Sequence, residues 1–175
     1  MTNYLLIPGL GNSGPAHWQT YFEASAPTFR RVEQKDWDTP ACADWVDTLE
    51  QAVAEVDPAT VVLIGHSLGC TAIAHWATRY KKTIKGAMLV APSDVEAPQY
   101  TFPTTGFAPI PLARLPFPTI VVASANDKWV SLARAQFFAE HWGRTLVNLG
   151  NAGHINVDSG HTNWDEGLAM LNRLG

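Results

Sequence analysis

The sequence TVVLIGHSLGC occupies residues 60–70 and decides the fold of this 175-residue chain. It begins as an apolar, β-branched run typical of a buried strand and continues as a Gly-x-Ser-x-Gly pentapeptide at residues 65–69. A helix-like stretch follows directly, over residues 70–80. A serine in this strand–turn–helix setting sits on a strained turn, and its hydroxyl projects from the carboxyl edge of a sheet. The pattern therefore predicts that Ser67 is a nucleophile.

Segments typical of strands and helices alternate along the chain, which predicts an α/β fold with a mainly parallel sheet. Six strands are expected, at residues 4–7, 29–34, 60–64, 86–91, 119–123 and 145–149. Helices are expected at residues 15–24, 44–56, 70–80, 132–142 and 164–174. Pro15 suits the first turn of the first helix, and Ser13 suits its N-cap. Right-handed connections between parallel strands would place these helices on both faces of the sheet.

Residues 95–118 interrupt this alternation, because they contain six prolines together with Tyr100, Phe102 and Phe107. We interpret this segment as an ordered loop or a small lid that has no domain of its own. A chain of this length then forms one domain, which would comprise residues 1–175.

Composition excludes several classes of partner. The formal net charge is −4 and no basic stripe is present, which argues against a nucleic-acid partner. The amino terminus lacks the basic region of a signal peptide, and no stretch approaches the roughly 18 apolar residues of a membrane span. The chain has only two cysteines, Cys42 and Cys70, so we expect a cytoplasmic protein in which Cys70 is a buried free thiol. We also expect a monomer or a weak dimer.

A serine hydroxyl needs a base to accept its proton, and that base needs an acid to orient it. Asp127 follows the predicted strand at residues 119–123, and His154 follows the one at residues 145–149. Both residues should therefore lie on loops at the same sheet edge as Ser67. The order Ser, Asp, His along the chain is the order of the α/β-hydrolases. The three placements together predict a Ser67–His154–Asp127 triad.

Alternatives exist for two members of this triad. Asp94, at the end of the fourth strand, is a rival acid, and Asp127 would otherwise serve only as the cap of the next helix. His161 is a rival base, although it lies closer to the last helix. The remaining histidines are explained by packing or by a variable position in the pentapeptide.

Acyl transfer also requires hydrogen-bond donors for the oxyanion. The backbone N–H of Leu68, directly after the nucleophile, is expected to be one of them. The second should come from the loop after the first strand, where we favour the N–H of Leu10 and keep Gly11 as the alternative.

The same loop offers a competing interpretation. Residues 9–14 formally match Gly-x-Gly-x-x-Gly after a strand, and Asp36 and Asp38 lie where a ribose-binding acid would be. A dinucleotide-binding protein is therefore an alternative. Pro15 weakens it, because the residue before a proline is pushed away from helical geometry.

Several segments together resemble the small serine hydrolases related to bacterial YdeN proteins and human retinoblastoma-binding protein 9. They are Pro-Gly-Leu-Gly-Asn-Ser at 8–13, His-Trp at 17–18, Gly-His-Ser-Leu-Gly at 65–69, Ser-Ala-Asn-Asp at 124–127 and Gly-His-Ile-Asn at 153–156. The resemblance covers essentially the whole chain. It implies a compact α/β-hydrolase without a large cap, with Ser67 as nucleophile, Asp127 as acid and His154 as base.

We therefore expect an enzyme that hydrolyses small carboxylic esters through an acyl-enzyme, with Trp129 and Trp37 as candidates for the pocket wall. An amidase would use the same triad, and a non-catalytic partner-binding protein would keep the same fold. Neither a metal nor an organic cofactor is expected, because the histidines and cysteines lack metal-ligand spacing and no phosphate-binding loop is present.

Overall fold

Six parallel strands form one sheet in the computed structural model, which describes residues 1–143 and 145–174. The strands are β1 (Asn3–Ile7), β2 (Phe29–Arg31), β3 (Val61–His66), β4 (Gly86–Val90), β5 (Thr119–Ala123) and β6 (Thr145–Asn148), in the spatial order β2-β1-β3-β4-β5-β6. The helices are α1 (Trp18–Ser25), α2 (Cys42–Ala54), α3 (Leu68–Tyr80), α4 (Leu132–Trp142) and α5 (Asp165–Met170). Short 3₁₀ helices lie at Pro58–Thr60, Val157–Ser159 and Leu171–Leu174.

The central strands are apolar on both sides because helices cover both faces of the sheet. Every residue of β3, β4 and β5 is buried, as expected for strands in the middle of a parallel sheet. The register pairs Ile7 with Gly65 and Gly65 with Leu89, so the carboxyl ends of β1, β3 and β4 lie side by side. The loops that leave these strands therefore meet at one edge.

Two apolar cores lie on opposite faces of the sheet. One face packs against α2, α3 and α4, and its largest buried side chains include Trp45, Trp76 and Trp142. The other face packs against α1 and α5, with Trp18 and Trp164 in edge-to-face contact at 5.2 Å between ring centroids. This two-layer cover confirms the predicted α/β class with helices on both faces.

The proline-rich segment packs against the first core along much of its length. Phe107 and Phe117 are buried there, and Trp142 donates its indole N–H to the Pro111 carbonyl at 2.7 Å. Within the described residues no helix lies between β4 and β5, so this segment forms no helical cap. No helix in the described part of the chain is both long and apolar enough to cross a membrane.

The beginning of α1 differs from the prediction. The helix starts at Trp18 and not near Pro15, because His17 is the N-cap and its Nδ1 atom accepts the Gln19 N–H. Ser13 does not cap the helix: its hydroxyl donates to the buried side-chain oxygen of Gln19 at 2.7 Å. The prediction of Ser13 as the cap was wrong because a turn, closed by the His17 N–H on the Gly14 carbonyl, precedes the helix and leaves His17 as its cap.

The remaining elements depart from the predicted bounds mainly at their ends. β5 and α4 have the predicted bounds, whereas β2 ends at Arg31 and α3 begins at Leu68, directly after the serine. The predicted closing helix ends at Met170 and continues as a 3₁₀ turn. Cys70 is a buried free thiol, as predicted.

Candidate active site

Ser67 lies at the turn between β3 and α3 with φ 55° and ψ −121°, a backbone conformation that non-glycine residues rarely adopt. Its side chain makes no capping hydrogen bond to the first amides of α3, so the hydroxyl is left for other partners. Gly69 permits the turn, because a Cβ atom there would lie 2.2 Å from the Ile7 carbonyl oxygen of β1.

The structure brings Ser67, His154 and Asp127 into one hydrogen-bonded chain. The Nε2 atom of His154 lies 2.9 Å from the Ser67 hydroxyl oxygen, and its Nδ1 atom lies 2.8 Å from Asp127 Oδ2. The Asp127 side chain is fully buried, and its other oxygen accepts the Trp129 N–H at 2.8 Å. The carboxylate is thus fixed on one side by backbone and directed on the other side at the imidazole.

The alternatives for the acid have other partners. Asp94 forms an ion pair with the Arg134 guanidinium, with 2.9 Å between Oδ2 and Nε. Asp127 does not cap α4, since the Ser131 hydroxyl oxygen accepts the Arg134 N–H at that helix N-terminus. Both carboxylates are therefore engaged, but only Asp127 contacts a histidine.

His161, the rival base, lies apart from the nucleophile. Its Nδ1 atom is 3.2 Å from the Ser159 hydroxyl, and its ring packs edge-on against Trp164. Burial lowers the pKa of this imidazole. His161 does not line the cavity in front of Ser67, whereas His154 does.

The loop after β1 passes directly in front of the serine. A Cβ atom on Gly9 would lie 2.8 Å from Ser67 Cβ and 3.3 Å from the Leu68 nitrogen, so glycine keeps open the space beside that amide. The Gly11 N–H donates to the Trp37 carbonyl at 2.8 Å. Within residues 1–143 and 145–174, the N–H groups of Leu10 and Leu68 make no hydrogen bond, which leaves both as possible donors to an anion.

This loop does not have the geometry of a dinucleotide fingerprint. Helix α1 begins four residues beyond Gly14, so the third glycine is outside the helix. Arg31 anchors the loop, since its guanidinium donates to Asn12 Oδ1 at 2.8 Å and to the Ser13 carbonyl at 2.7 Å. The Asp36 carboxylate accepts from nearby backbone and side-chain groups in its own turn.

Two further histidines, His66 and His17, line the same cavity as His154, and neither was predicted to contribute to the site. The Nε2 atom of His66 lies 3.0 Å from the His154 carbonyl oxygen. The His66 ring also packs against the ring of His17, with 4.7 Å between the centroids. Burial lowers the pKa of His66 well below its usual value, and the charges of His154 and His17 add to this effect. Burial, aided by the Arg31 charge, lowers the pKa of His17 to about 4. Both imidazoles are therefore neutral near pH 7.

A cavity of about 240 Å³ opens in front of the Ser67 hydroxyl. Its outer wall is aromatic: Phe102 lies edge-on to Trp129 and to Tyr100, at centroid distances of 5.0 and 5.1 Å. The residues that line it are Gly9, Leu10, Asn12, His17, His66, Ser67, Ser93, Tyr100, Phe102, Trp129, His154 and Asn156. Phe102 and Tyr100 come from the proline-rich segment, and its aromatic content was the sequence signal for this part of the wall.

Trp129 and Trp37, the two pocket candidates, are placed differently. Trp129 lines the cavity, whereas Trp37 packs edge-on against Trp45 at 5.5 Å and does not line it. Trp37 contributes its backbone carbonyl, which holds the Gly11 amide of the loop after β1.

Neither of the two buried thiols, Cys42 and Cys70, lines this cavity. Burial raises the pKa of Cys42 to about 12 and that of Cys70 well above its usual value, so neither is a thiolate at neutral pH. Among the residues that the structure describes, no three histidine, cysteine, aspartate or glutamate side chains are grouped to hold a metal ion.

Comparison with known proteins gives a consistent result. The model of the serine hydrolase family matches residues 4–173. A YdeN-like hydrolase from Pectobacterium atrosepticum superposes with a TM-score of 0.87 at 34% identity, covering 99% of this chain and 90% of that one. YdeN from Bacillus subtilis gives 0.84 at 20% identity, with 99% and 98% covered. No curated protein sequence matches the chain.

More distant structures share the fold alone. The carboxylesterase CesB from Bacillus subtilis superposes with a TM-score of 0.70 at 14% identity, covering 99% of this chain and 83% of that one. These comparisons confirm the predicted resemblance to the YdeN hydrolases and the α/β-hydrolase architecture without a large cap.

Proposed function

This chain belongs to the serine hydrolase family, and from that premise we propose that it cleaves small carboxylic esters through an acyl-enzyme. Ser67 is the nucleophile, His154 the general base and acid, and Asp127 the group that orients His154. The observation that supports this assignment is the continuous path of hydrogen bonds from the serine oxygen through the imidazole to a buried carboxylate.

In the first half of the reaction, His154 Nε2 removes the hydroxyl proton while Ser67 Oγ attacks the ester carbonyl carbon. The carbonyl electron pair moves onto oxygen to give a tetrahedral intermediate. That intermediate collapses, the alcohol leaves with the proton from His154, and an ester of Ser67 stays behind. Asp127 holds the imidazole in the tautomer with its hydrogen on Nδ1 and stabilises the cation formed in each step.

In the second half, water takes the place of the alcohol. His154 removes a proton from water as the water oxygen attacks the acyl carbon, and the second tetrahedral intermediate then expels Ser67 Oγ. The imidazolium returns its proton to that oxygen, which regenerates the free enzyme and releases a carboxylic acid.

The backbone N–H groups of Leu68 and Leu10 are the proposed oxyanion donors. Both lack other partners in the described part of the chain, whereas the Gly11 N–H is already bonded to Trp37. Donors fixed in advance on the backbone stabilise developing charge without having to reorganise. The anchoring of this loop by Arg31 supports that rigidity.

The cavity favours a short acyl group. Its volume of about 240 Å³ is small, and Trp129, Phe102 and Tyr100 form a wall across it. A p-nitrophenyl ester series should therefore show faster turnover of acetate and butyrate than of long-chain esters. Preferential turnover of long chains would contradict this substrate class, and parallel anilide substrates would reveal an amidase.

Covalent labelling tests the nucleophile directly. A fluorophosphonate probe should label the wild-type protein once, with mass spectrometry locating the adduct on Ser67, and should not label Ser67→Ala. Ser25→Ala, which removes a hydroxyl outside the cavity, is the matched control and should label normally. Absence of labelling in the wild type would reject catalysis and favour a partner-binding role for this fold.

A further inference from the structure

A second serine hydroxyl contacts the nucleophile. Ser93 Oγ lies 2.7 Å from Ser67 Oγ, and the residue is only 2% exposed while still lining the cavity. In the part of the chain that the structure describes, this hydroxyl has no other hydrogen-bond partner. A buried hydroxyl that has one hydrogen-bond partner keeps that bond, because breaking it would leave a buried polar group unsatisfied.

The direction of this hydrogen bond follows from the tautomer of His154. Its Nδ1 atom faces the Asp127 carboxylate, which accepts only, so Nδ1 carries the hydrogen and Nε2 is bare. The Ser67 hydroxyl must then donate to Nε2. Because that uses its single hydrogen, the contact with Ser93 requires Ser93 to donate its O–H to Ser67 Oγ.

The backbone holds Ser93 in this position. The residue follows β4 in the segment Ala91-Pro92-Ser93, where Ala91 has a left-handed φ of 49° and donates its N–H to the Val122 carbonyl at 2.8 Å. The next amide, that of Asp94, donates to the Trp129 carbonyl at 3.0 Å. A non-glycine residue in the left-handed region persists only where its surroundings enforce it. The donor is therefore fixed before any substrate arrives.

We propose that Ser93 is a further catalytic residue, whose hydroxyl donates to Ser67 Oγ and acts chiefly when the acyl-enzyme is hydrolysed. This inference rests on the proposed function. In the free enzyme Ser67 Oγ already accepts the bond, so attack on the first ester gains little from it. In the acyl-enzyme Oγ is a conjugated ester oxygen and a poor acceptor.

Hydrolysis of the acyl-enzyme changes the strength of Ser67 Oγ as a hydrogen-bond acceptor. Once water has added, the carbon is tetrahedral and Oγ becomes a stronger acceptor. As the C–Oγ bond breaks, its electron pair stays on Oγ and the proton comes from His154, while Ser93 keeps its own proton throughout. The Ser93 hydrogen bond is thus stronger in the transition state than in the acyl-enzyme, which is the condition for accelerating a step.

The experiment compares the two halves of the reaction in Ser93→Ala and in the wild type. Phosphonylation by a fluorophosphonate reports attack by Ser67 alone, and its rate should fall less than about 3-fold. Steady-state hydrolysis of p-nitrophenyl acetate should fall about 10-fold, with a larger p-nitrophenol burst and an acetyl-enzyme visible by intact mass. Ser93→Thr keeps the hydroxyl and should restore part of the turnover.

Two results would contradict the proposal in distinct ways. Equal losses in the labelling rate and in the turnover rate would show that Ser93 only positions the nucleophile. No loss in either rate would show that Ser93 has no part in the reaction. If Ser93→Ala fails to fold, Ser93→Cys, which substitutes a weak donor of similar shape, should accumulate acyl-enzyme in the same manner. A wild type that neither labels nor hydrolyses the ester would instead reject the proposed function itself.

Discussion

The Nε2 atom of His66 lies 3.0 Å from the backbone carbonyl oxygen of His154. A carbonyl oxygen only accepts, so His66 donates, and the residue next to the proposed nucleophile is bonded to the residue that carries the proposed base. The ring of His66 is buried and neutral, with its pKa well below the usual value. This bond fixes the loop after β6 onto the end of β3, and so sets the distance between serine and imidazole.

We expect His66→Leu to lower kcat about 10-fold with little change in KM, because the imidazole of His154 would lose its fixed approach to Ser67. His66→Gln, whose amide can donate to the same carbonyl, should recover part of the loss. Ester kinetics with matched thermal unfolding curves would measure both. The control is His75→Leu, since His75 contacts the Phe107 carbonyl at 2.9 Å and does not line the cavity. Equal losses at His66 and His75 would argue for a general effect on stability.

Asp127→Asn should lower kcat/KM by about 10³- to 10⁴-fold, because an amide in place of the carboxylate favours the wrong tautomer of His154 and cannot stabilise its cation. Ester turnover measures this loss, and phosphonate labelling should slow in parallel. Asp94→Asn is the comparison, since Asp94 is ion-paired with Arg134. This variant should lower kcat/KM by less than about 10-fold. A greater loss at Asp94 than at Asp127 would transfer the role of the acid to Asp94.

The sequence was sufficient to bring Ser67, Asp127 and His154 together because each follows a strand of a parallel sheet. The carboxyl ends of all strands in a parallel sheet lie at one edge, so three residues that each follow a strand are expected at that edge. The observed contacts at 2.9 and 2.8 Å agree with that expectation.

The contacts around that path could not be predicted in the same way. Ser93 and His66 reach their partners across 26 and 88 residues of sequence, and no local pattern specifies such tertiary bonds. The start of α1 was mispredicted because a turn, closed by the His17 N–H on the Gly14 carbonyl, comes first and His17 then caps the helix. Polar side chains with several possible partners are resolved only by the packing of the whole fold.

Gly69→Ala should destabilise the protein by more than about 3 kcal/mol, because the new methyl group would lie 2.2 Å from the Ile7 carbonyl and 2.7 Å from the Pro8 carbonyl. Neither backbone atom can move without breaking the alignment of β1 and β3. Urea unfolding measures the effect. Gly14→Ala is the control, since nothing lies within 4 Å of its Cβ position, and it should change stability by less than about 1 kcal/mol. Comparable stability of the two variants would contradict the close approach of β1 to α3.

Stability should fall as the pH drops from 6.5 towards 4, in part because of His17. Its pKa is about 4 in the folded protein against 6.5 for an ordinary histidine, mainly because the ring is buried. Between these values the unfolded chain binds the proton and the folded chain does not. The contribution of His17 to the free energy of unfolding is therefore fully present above pH 6.5 and is lost as the pH falls towards 4. A shift of this size corresponds to about 3 kcal/mol.

His17→Asn isolates this contribution, because asparagine can still accept the Gln19 N–H as the N-cap of α1 but does not titrate. Urea unfolding at a series of pH values should give a shallower decline for His17→Asn than for the wild type, with His66 responsible for part of the slope that persists. Measurements at about pH 8, where histidine is neutral in both states, separate the change in packing from the change in proton binding. Parallel slopes in the two proteins would mean that His17 takes up its proton equally when folded and unfolded, which its burial between Trp18 and His66 argues against.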